Sequence, residues 1–236
     1  MTFLSFLYFV ILCASAGTFI GTILPYAVRV CVRRGFTDCP DEERKHHRGN
    51  IPPIGGVLMV PIFMILMTFL GFSIWDHIAL YISLGLLMIM GIADDLGSVA
   101  PPIKLGVQIL AAAIITISNS AVLSHLGHLF GVDHIVYLSF IAIPFTLVCF
   151  IFFMNALNMM DGMDGLGGGL SFTMLGLLAL EALMGQDVRL ATAAALMMSL
   201  LFGFLLHNMR YPGHRRATVF LGDTGSFCLA FLIAWL

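Results

Sequence analysis

Long apolar runs separated by short polar linkers set the pattern of this chain. Eight runs, rich in Leu, Ile, Val, Met, Phe, Ala and Gly, lie near 3–25, 54–73, 77–93, 104–123, 135–154, 166–184, 189–207 and 219–236. A membrane-spanning helix needs about 20 mostly apolar residues. The runs therefore predict an all-α integral membrane protein with about eight transmembrane helices. Most charges, prolines and turn formers collect in the linkers. No soluble domain, low-complexity tract or internal repeat interrupts the series, so residues 1–236 read as one polytopic membrane domain.

Composition strengthens this reading. Hydrophobic residues make up 60% of the 236 and charged residues only 10%, against about 25% charged in a soluble domain. So little polar surface would not cover a soluble fold of this size. The cysteines Cys13, Cys31, Cys39, Cys149 and Cys228 form no CxxC pair, which argues against a disulfide framework or a zinc site. The first run has a stretch, Ala14 to Gly17, that mimics a signal-peptide cleavage site. It has no basic residue before Arg29, although signal peptides carry a basic n-region. A retained first helix is the favoured reading.

Where the charges sit fixes the expected orientation. With the N-terminus outside, the inner linkers carry Arg29, Arg33, Arg34, Arg44, Lys45, Arg48, Lys104, Arg210, Arg215 and Arg216, and the outer ones only Arg189. That asymmetry is the positive-inside pattern, and the opposite orientation would invert it.

Four polar constellations then fall on the inner face. The first is the long linker from Asp38 through Arg44-Lys45-His46-His47-Arg48 to Gly55-Gly56. The second is Asp94-Asp95, with Lys104 ten residues on. The third is the block from Asn155 and Asn158 to Asp161-Gly162-Met163-Asp164-Gly165. The fourth is Phe220-Leu221-Gly222-Asp223-Thr224-Gly225-Ser226.

Any one of Asp94, Asp95, Asp161 and Asp164 could be a helix cap or a solvated loop residue. As a group, together with Asp223, they put five carboxylates at the inner ends of helices. Aspartates at membrane depth are expensive and are normally kept for function. If helical, Asp161 and Asp164 share a face. Packed like charges repel and raise one another's pKa, and a hard cation relieves that. Oxygen ligands without a Cys/His cluster point to Mg2+ or Mn2+. Because magnesium is usually held by one or two carboxylates plus substrate phosphates, a phosphate ligand is implied.

Gly162, Gly165, Gly222 and Gly225 flank these aspartates, and glycine lets a backbone approach a ligand closely. Gly167, Gly168 and Gly169 fit close helix packing better. The cluster Arg44 to Arg48 has two readings. It is either the positive-inside signal, touching anionic headgroups, or in part a phosphate site, with Arg44 and His46 the stronger candidates. The histidines His125, His128 and His134 read as outer-surface residues, and His207 is ambiguous. A transporter would place its acids near the bilayer midplane and repeat broken helices. Neither is seen.

At these motifs the sequence resembles the polyprenyl-phosphate N-acetylhexosamine-1-phosphate transferases, in particular the branch that uses UDP-N-acetylglucosamine. The phospho-MurNAc-pentapeptide transferases of peptidoglycan synthesis are more distant relatives. The matching residues are Asp94-Asp95 with Lys104; Asn155-x-x-Asn158-x-x-Asp161-Gly162-x-Asp164-Gly165; Val219-Phe220-x-Gly222-Asp223-x-Gly225-Ser226; and, in the first linker, Asp38, Pro40, Arg44-Lys45, His47, Ile51-Pro52 and Gly55-Gly56. They occur in order along essentially the whole chain. Members of the family continue past the eighth helix into a cytoplasmic loop with a His-x-His-His motif. The resemblance thus implies a chain truncated at its C-terminus, the N-terminal two-thirds of the family fold.

The resemblance implies transfer of N-acetylglucosamine-1-phosphate from UDP-GlcNAc, or a related UDP-N-acetylhexosamine, to undecaprenyl phosphate. UMP would be released at the inner face of a bacterial cytoplasmic membrane, as a first membrane step of cell-envelope polysaccharide synthesis. It implies Asp223 as leading Mg2+ ligand, with Asn158, and Lys104 as the diphosphate's partner. Asp94 or Asp95 would deprotonate or orient the lipid phosphate. Asp161 and Asp164 would contact the nucleotide or organise the metal shell. Asn155, Arg44, His46, His47 and Gly222 are the further substrate-binding candidates. Membrane lipid is a partner and nucleic acid is not; a homodimer is compatible with the sequence.

Overall fold

The computed structural model describes residues 3–37, 51–118, 121–128 and 134–236. These residues form an all-helical bundle: α1 (Phe3–Arg33), α2 (Gly55–Phe69), α3 (Ile78–Leu96), α4 (Pro101–Ile117), α5 (Ala142–Met160), α6 (Leu166–Met184), α7 (Val188–Asn208) and α8 (Gly222–Trp235). Five of them (α1, α3, α5, α6 and α7) are long and apolar enough to cross a membrane. The other three have 15, 17 and 14 residues. At about 1.5 Å per residue, the 14-residue α8 is shorter than the roughly 30 Å hydrocarbon layer.

Local signals account for the helix ends. Pro101 and Pro102 open α4, where a missing N–H loses nothing. Asp187 caps α7, its side chain accepting the Leu190 N–H at 3.0 Å. Helix α5 stops at Met160 because Gly162 follows and Gly165 takes a φ of 80°, a left-handed conformation that glycine enters without strain. Residues 161–165 are therefore a turn. The condition on which Asp161 and Asp164 would share a helix face is therefore not met.

Helix α8 lies at the centre, packed against α2, α3, α5 and α6, with every residue from Thr224 to Ile233 buried. Two glycines permit the approach. A Cβ on Gly91 of α3 would run into the Thr224 backbone, and one on Gly56 of α2 into the Gly225 backbone. Phe150 and Phe231 fill the α5–α8 contact, ring centroids 5.0 Å apart.

Helix α1 packs on α7 through Gly17 and Gly21 opposite Gly203, the small-residue contact by which membrane helices approach closely. Ser199 Oγ donates to the Cys13 carbonyl. His207 Nε2 lies 2.7 Å from the Gly21 carbonyl, which can only accept. The ambiguous histidine thus ties α7 to α1. The stretch that mimics a cleavage site lies inside α1, with Ala16 buried. His125 pairs with Tyr137 in an isolated antiparallel bridge, its ring edge-on to the Tyr137 ring.

Candidate active site

The ends of α3, α4, α5 and α8 meet at one end of the bundle. Asp94 and Asp95 occupy the last turn of α3 and Lys104 the first turn of α4; Asn158 lies in the last turn of α5, and Asp223 opens α8.

Asp95 closes the N-terminus of α8. Its Oδ1 accepts the Asp223 N–H at 2.9 Å; its Oδ2 accepts the Thr224 N–H at 3.2 Å and the Thr224 Oγ1 hydroxyl at 2.8 Å. These N–H groups have no partner inside the helix, and a carboxylate there also suits the helix dipole. Gly222 makes the contact feasible. Its φ is 79°, and a Cβ would lie 2.8 Å from both Asp95 Oδ2 and the Pro53 carbonyl. The strand-like pairing of Gly55 N–H with Phe220 O (3.0 Å) and Gly56 N–H with Leu221 O (2.9 Å) anchors the same corner.

Lys104 Nζ bonds Asp94 Oδ2 and lies 3.4 Å from Asp223 Oδ2. Asp94 Oδ1 accepts the Val99 N–H at 2.7 Å. Asn158 Nδ2 donates to Asp223 Oδ1 at 2.8 Å and to Ser226 Oγ at 2.9 Å. One ammonium thus bridges two carboxylates, and Asp223 is oriented from three helices.

Asp161, just past α5, has no hydrogen-bond donor on its carboxylate among the described residues. Burial pushes that carboxyl up to about 8, and the charges of Asp223 and Asp95 push it the same way. Asp164 turns elsewhere. Its Oδ2 accepts Arg210 Nε at 2.7 Å and the Ala217 N–H at 3.2 Å, fastening the turn after α5 to the linker before α8. Asn155 Nδ2 donates to Gln108 Oε1 at 2.7 Å and to the Ile151 carbonyl at 2.8 Å. Arg44, His46 and His47 lie outside the described residues.

Several residues of this corner were not singled out from the sequence. Gln108 is buried and stands four residues after Lys104 on α4; a glutamine inside an apolar run was the available signal. Asn208 is buried and two-handed: its Oδ1 accepts the Gly165 N–H and its Nδ2 donates to the Val219 carbonyl, both at 2.9 Å. Thr224 and Ser226, by contrast, stand in the fourth constellation of the sequence, and are fully buried hydroxyls serving Asp95 and Asn158.

The donor set suits a hard cation. Asp94 and Asp223 flank Lys104, the charges of Asp223 and Asp95 reach Asp161, and the Asp161 carboxylate lacks a donor among the described residues. Among the described residues, no three His, Cys, Asp or Glu side chains are arranged to hold an ion alone. An ion here would take much of its shell from other ligands, as magnesium does at phosphate sites.

Comparison with known proteins gives a consistent outcome. The sequence profile of glycosyl transferase family 4 matches residues 77–236. The undecaprenyl-phosphate alpha-N-acetylglucosaminyl 1-phosphate transferase of Haemophilus influenzae is 33% identical over 233 residues, covering 93% of this chain and 62% of its own length. The enzyme of the same name from Salmonella typhi is 31% identical over 213 residues, with 89% and 56% covered. That of Escherichia coli is 29% identical over 212 residues, with 89% and 57% covered. The chain thus spans little more than half the length of the curated relatives it matches.

Proposed function

From the premise that this chain belongs to glycosyl transferase family 4, we propose that it transfers N-acetylglucosamine-1-phosphate from UDP-GlcNAc to undecaprenyl phosphate, releasing UMP. The observation that carries this reading is the convergence of Asp94, Lys104, Asn158 and Asp223 from four helices. Phosphoryl transfers depend mainly on positioning and charge neutralisation, and this corner offers both. The relatives' shared name gives the same transferred group and the same lipid-phosphate acceptor.

In this proposal α2, α4 and α8 join the five long helices as eight spans, with the N-terminus outside. The site then lies at the cytoplasmic face of a bacterial inner membrane. Orientation rests on the basic linkers, Arg29 to Arg34 and Arg210 to Arg216.

The lipid-phosphate oxygen attacks the sugar-bound phosphorus, and the bond from that phosphorus to the UMP oxygen breaks. Lys104, already poised between Asp94 and Asp223, faces the charge that develops on the leaving UMP. Asp94 stands beside Lys104 and orients the attacking phosphate. Asp95 acts by fixing α8 and so the Asp223 carboxylate. Asp223, Asn158 and Asp161 are the groups that would hold Mg2+, which when bound draws the phosphates together and neutralises their charge.

Membranes carrying the protein, expressed from its complete coding frame, provide the test. Radiolabel should pass from UDP-GlcNAc into a lipid extract, and a chelator should stop it. Absence of label in the lipid with Mg2+ present would remove the proposal.

A further inference from the structure

The amide of Asn155 has one free valence, and its chemistry can be deduced. Asn155 Nδ2 lies 2.8 Å from the Ile151 carbonyl. A carbonyl oxygen only accepts, so the amide atom facing it is the nitrogen. The same nitrogen lies 2.7 Å from Gln108, so Gln108 must turn its Oε1 there. Both Nδ2 hydrogens are then committed. Among the described residues nothing donates to Asn155 Oδ1, and Asn155 is exposed.

Gln108 is what fixes this arrangement. It is only 1% exposed and lies one turn along α4 from Lys104. Asn155 lies one turn along α5 from Asn158. The pair therefore pins α4 to α5 directly beneath the two residues that hold Asp223.

We propose that Gln108 is a positioning residue that presents Asn155 Oδ1 outward as a hydrogen-bond acceptor, and that this oxygen receives a donor group of a substrate. An ionised phosphate oxygen does not fit, because two acceptors would face one another. The group is a hydroxyl or N–H, either a protonated oxygen of the lipid phosphate or a donor on the sugar of the nucleotide. This inference rests on the transfer reaction proposed above.

Initial rates are measured on protein expressed from its complete coding frame, varying in turn the lipid phosphate, the UDP-sugar and Mg2+. Gln108→Leu should raise the KM of one of the two substrates about five- to tenfold, the value of one hydrogen bond. The Mg2+ half-saturation should stay put. Gln108→Glu keeps an acceptor in place and should recover most of the loss. Asn155→Asp keeps an outward acceptor and should be less impaired than Asn155→Leu by about tenfold. The substrate whose KM moves carries the donor group.

Equal impairment of Asn155→Asp and Asn155→Leu would overturn the inference. So would a shift confined to Mg2+ half-saturation. Wild-type protein that transfers while Gln108→Leu keeps both KM values overturns the inference alone. Wild-type protein that transfers nothing overturns the reaction and the inference together.

Discussion

The carboxylate of Asp95 accepts the backbone N–H of Asp223 at 2.9 Å, so a residue of α3 sets where α8 begins. This separates two neighbours that look equivalent in sequence. Both oxygens of Asp95 are committed to α8. Asp94 instead faces Lys104, because successive residues on a helix point about 100° apart.

Removing Asp95 should accordingly act through the fold of the corner. Asp95→Ala leaves two N–H groups and a buried hydroxyl without their acceptor. Unsatisfied buried donors cost about 1–3 kcal/mol each before relaxation, so we expect roughly 2–4 kcal/mol lost and transfer abolished. Asp95→Asn keeps one acceptor oxygen and should lose less stability. Thermal unfolding in detergent reads both. An unchanged unfolding temperature for Asp95→Ala would contradict the capping role.

Much of this corner was legible in the sequence, for physical reasons. Apolar runs mark helices by length alone, so all eight helices overlap their predicted runs. Helix ends were less legible. Helix α1 continues to Arg33 and α5 to Met160, since charged or amide residues at an interface can extend a helix without breaking the apolar pattern. The identity of the aspartates was readable, whereas their partners were not. Asp164 pairs with Arg210, 46 residues away, and hydrogen bonds of that range leave no trace in spacing. The turn at 161–165 lies in the linker between the runs 135–154 and 166–184, where Gly162 and Gly165 announce it.

Lys104 is the sole cation bonded to Asp94 and Asp223 among the described residues. Lys104→Gln leaves two carboxylates facing each other and removes the charge set for the leaving group. Loss of one such electrostatic contact costs about 100- to 1000-fold in rate. We expect that loss in kcat at saturating Mg2+. The double change Lys104→Gln with Asp94→Asn should regain stability but not rate. Recovery of rate would show that Lys104 acts only by balancing charge.

Close packing around α8 gives a prediction independent of chemistry. Gly91→Ala and Gly56→Ala each drive a methyl into the α8 backbone. Overpacking of this kind costs about 1–3 kcal/mol, and more where backbone must move. Gly85 lies on the same helix as Gly91 but has open space around its Cα. Gly85→Ala should therefore be neutral or stabilising by up to about 1 kcal/mol. Unfolding temperatures in detergent check the contrast; equal effects at Gly85 and Gly91 would refute it.

Asp161 carries the clearest pH signature. Its carboxyl titrates at about 8 in the folded protein, against about 3.9 in an unfolded chain. Between those values the folded state holds a proton that the unfolded state lacks. Stability therefore falls as pH rises from about 4 to 8 and then levels off. Asp161→Asn is neutral throughout, so its stability advantage over wild type should grow over that range and plateau above it. A bound divalent ion reverses the preference by favouring the charged carboxylate. Mg2+ should raise the wild-type unfolding temperature more at pH 8.5 than at pH 6, where it must displace the proton. In Asp161→Asn both the gain and its pH dependence should shrink. A Mg2+ gain that is the same at both pH values, or the same in Asp161→Asn, would exclude Asp161 from the ion's shell.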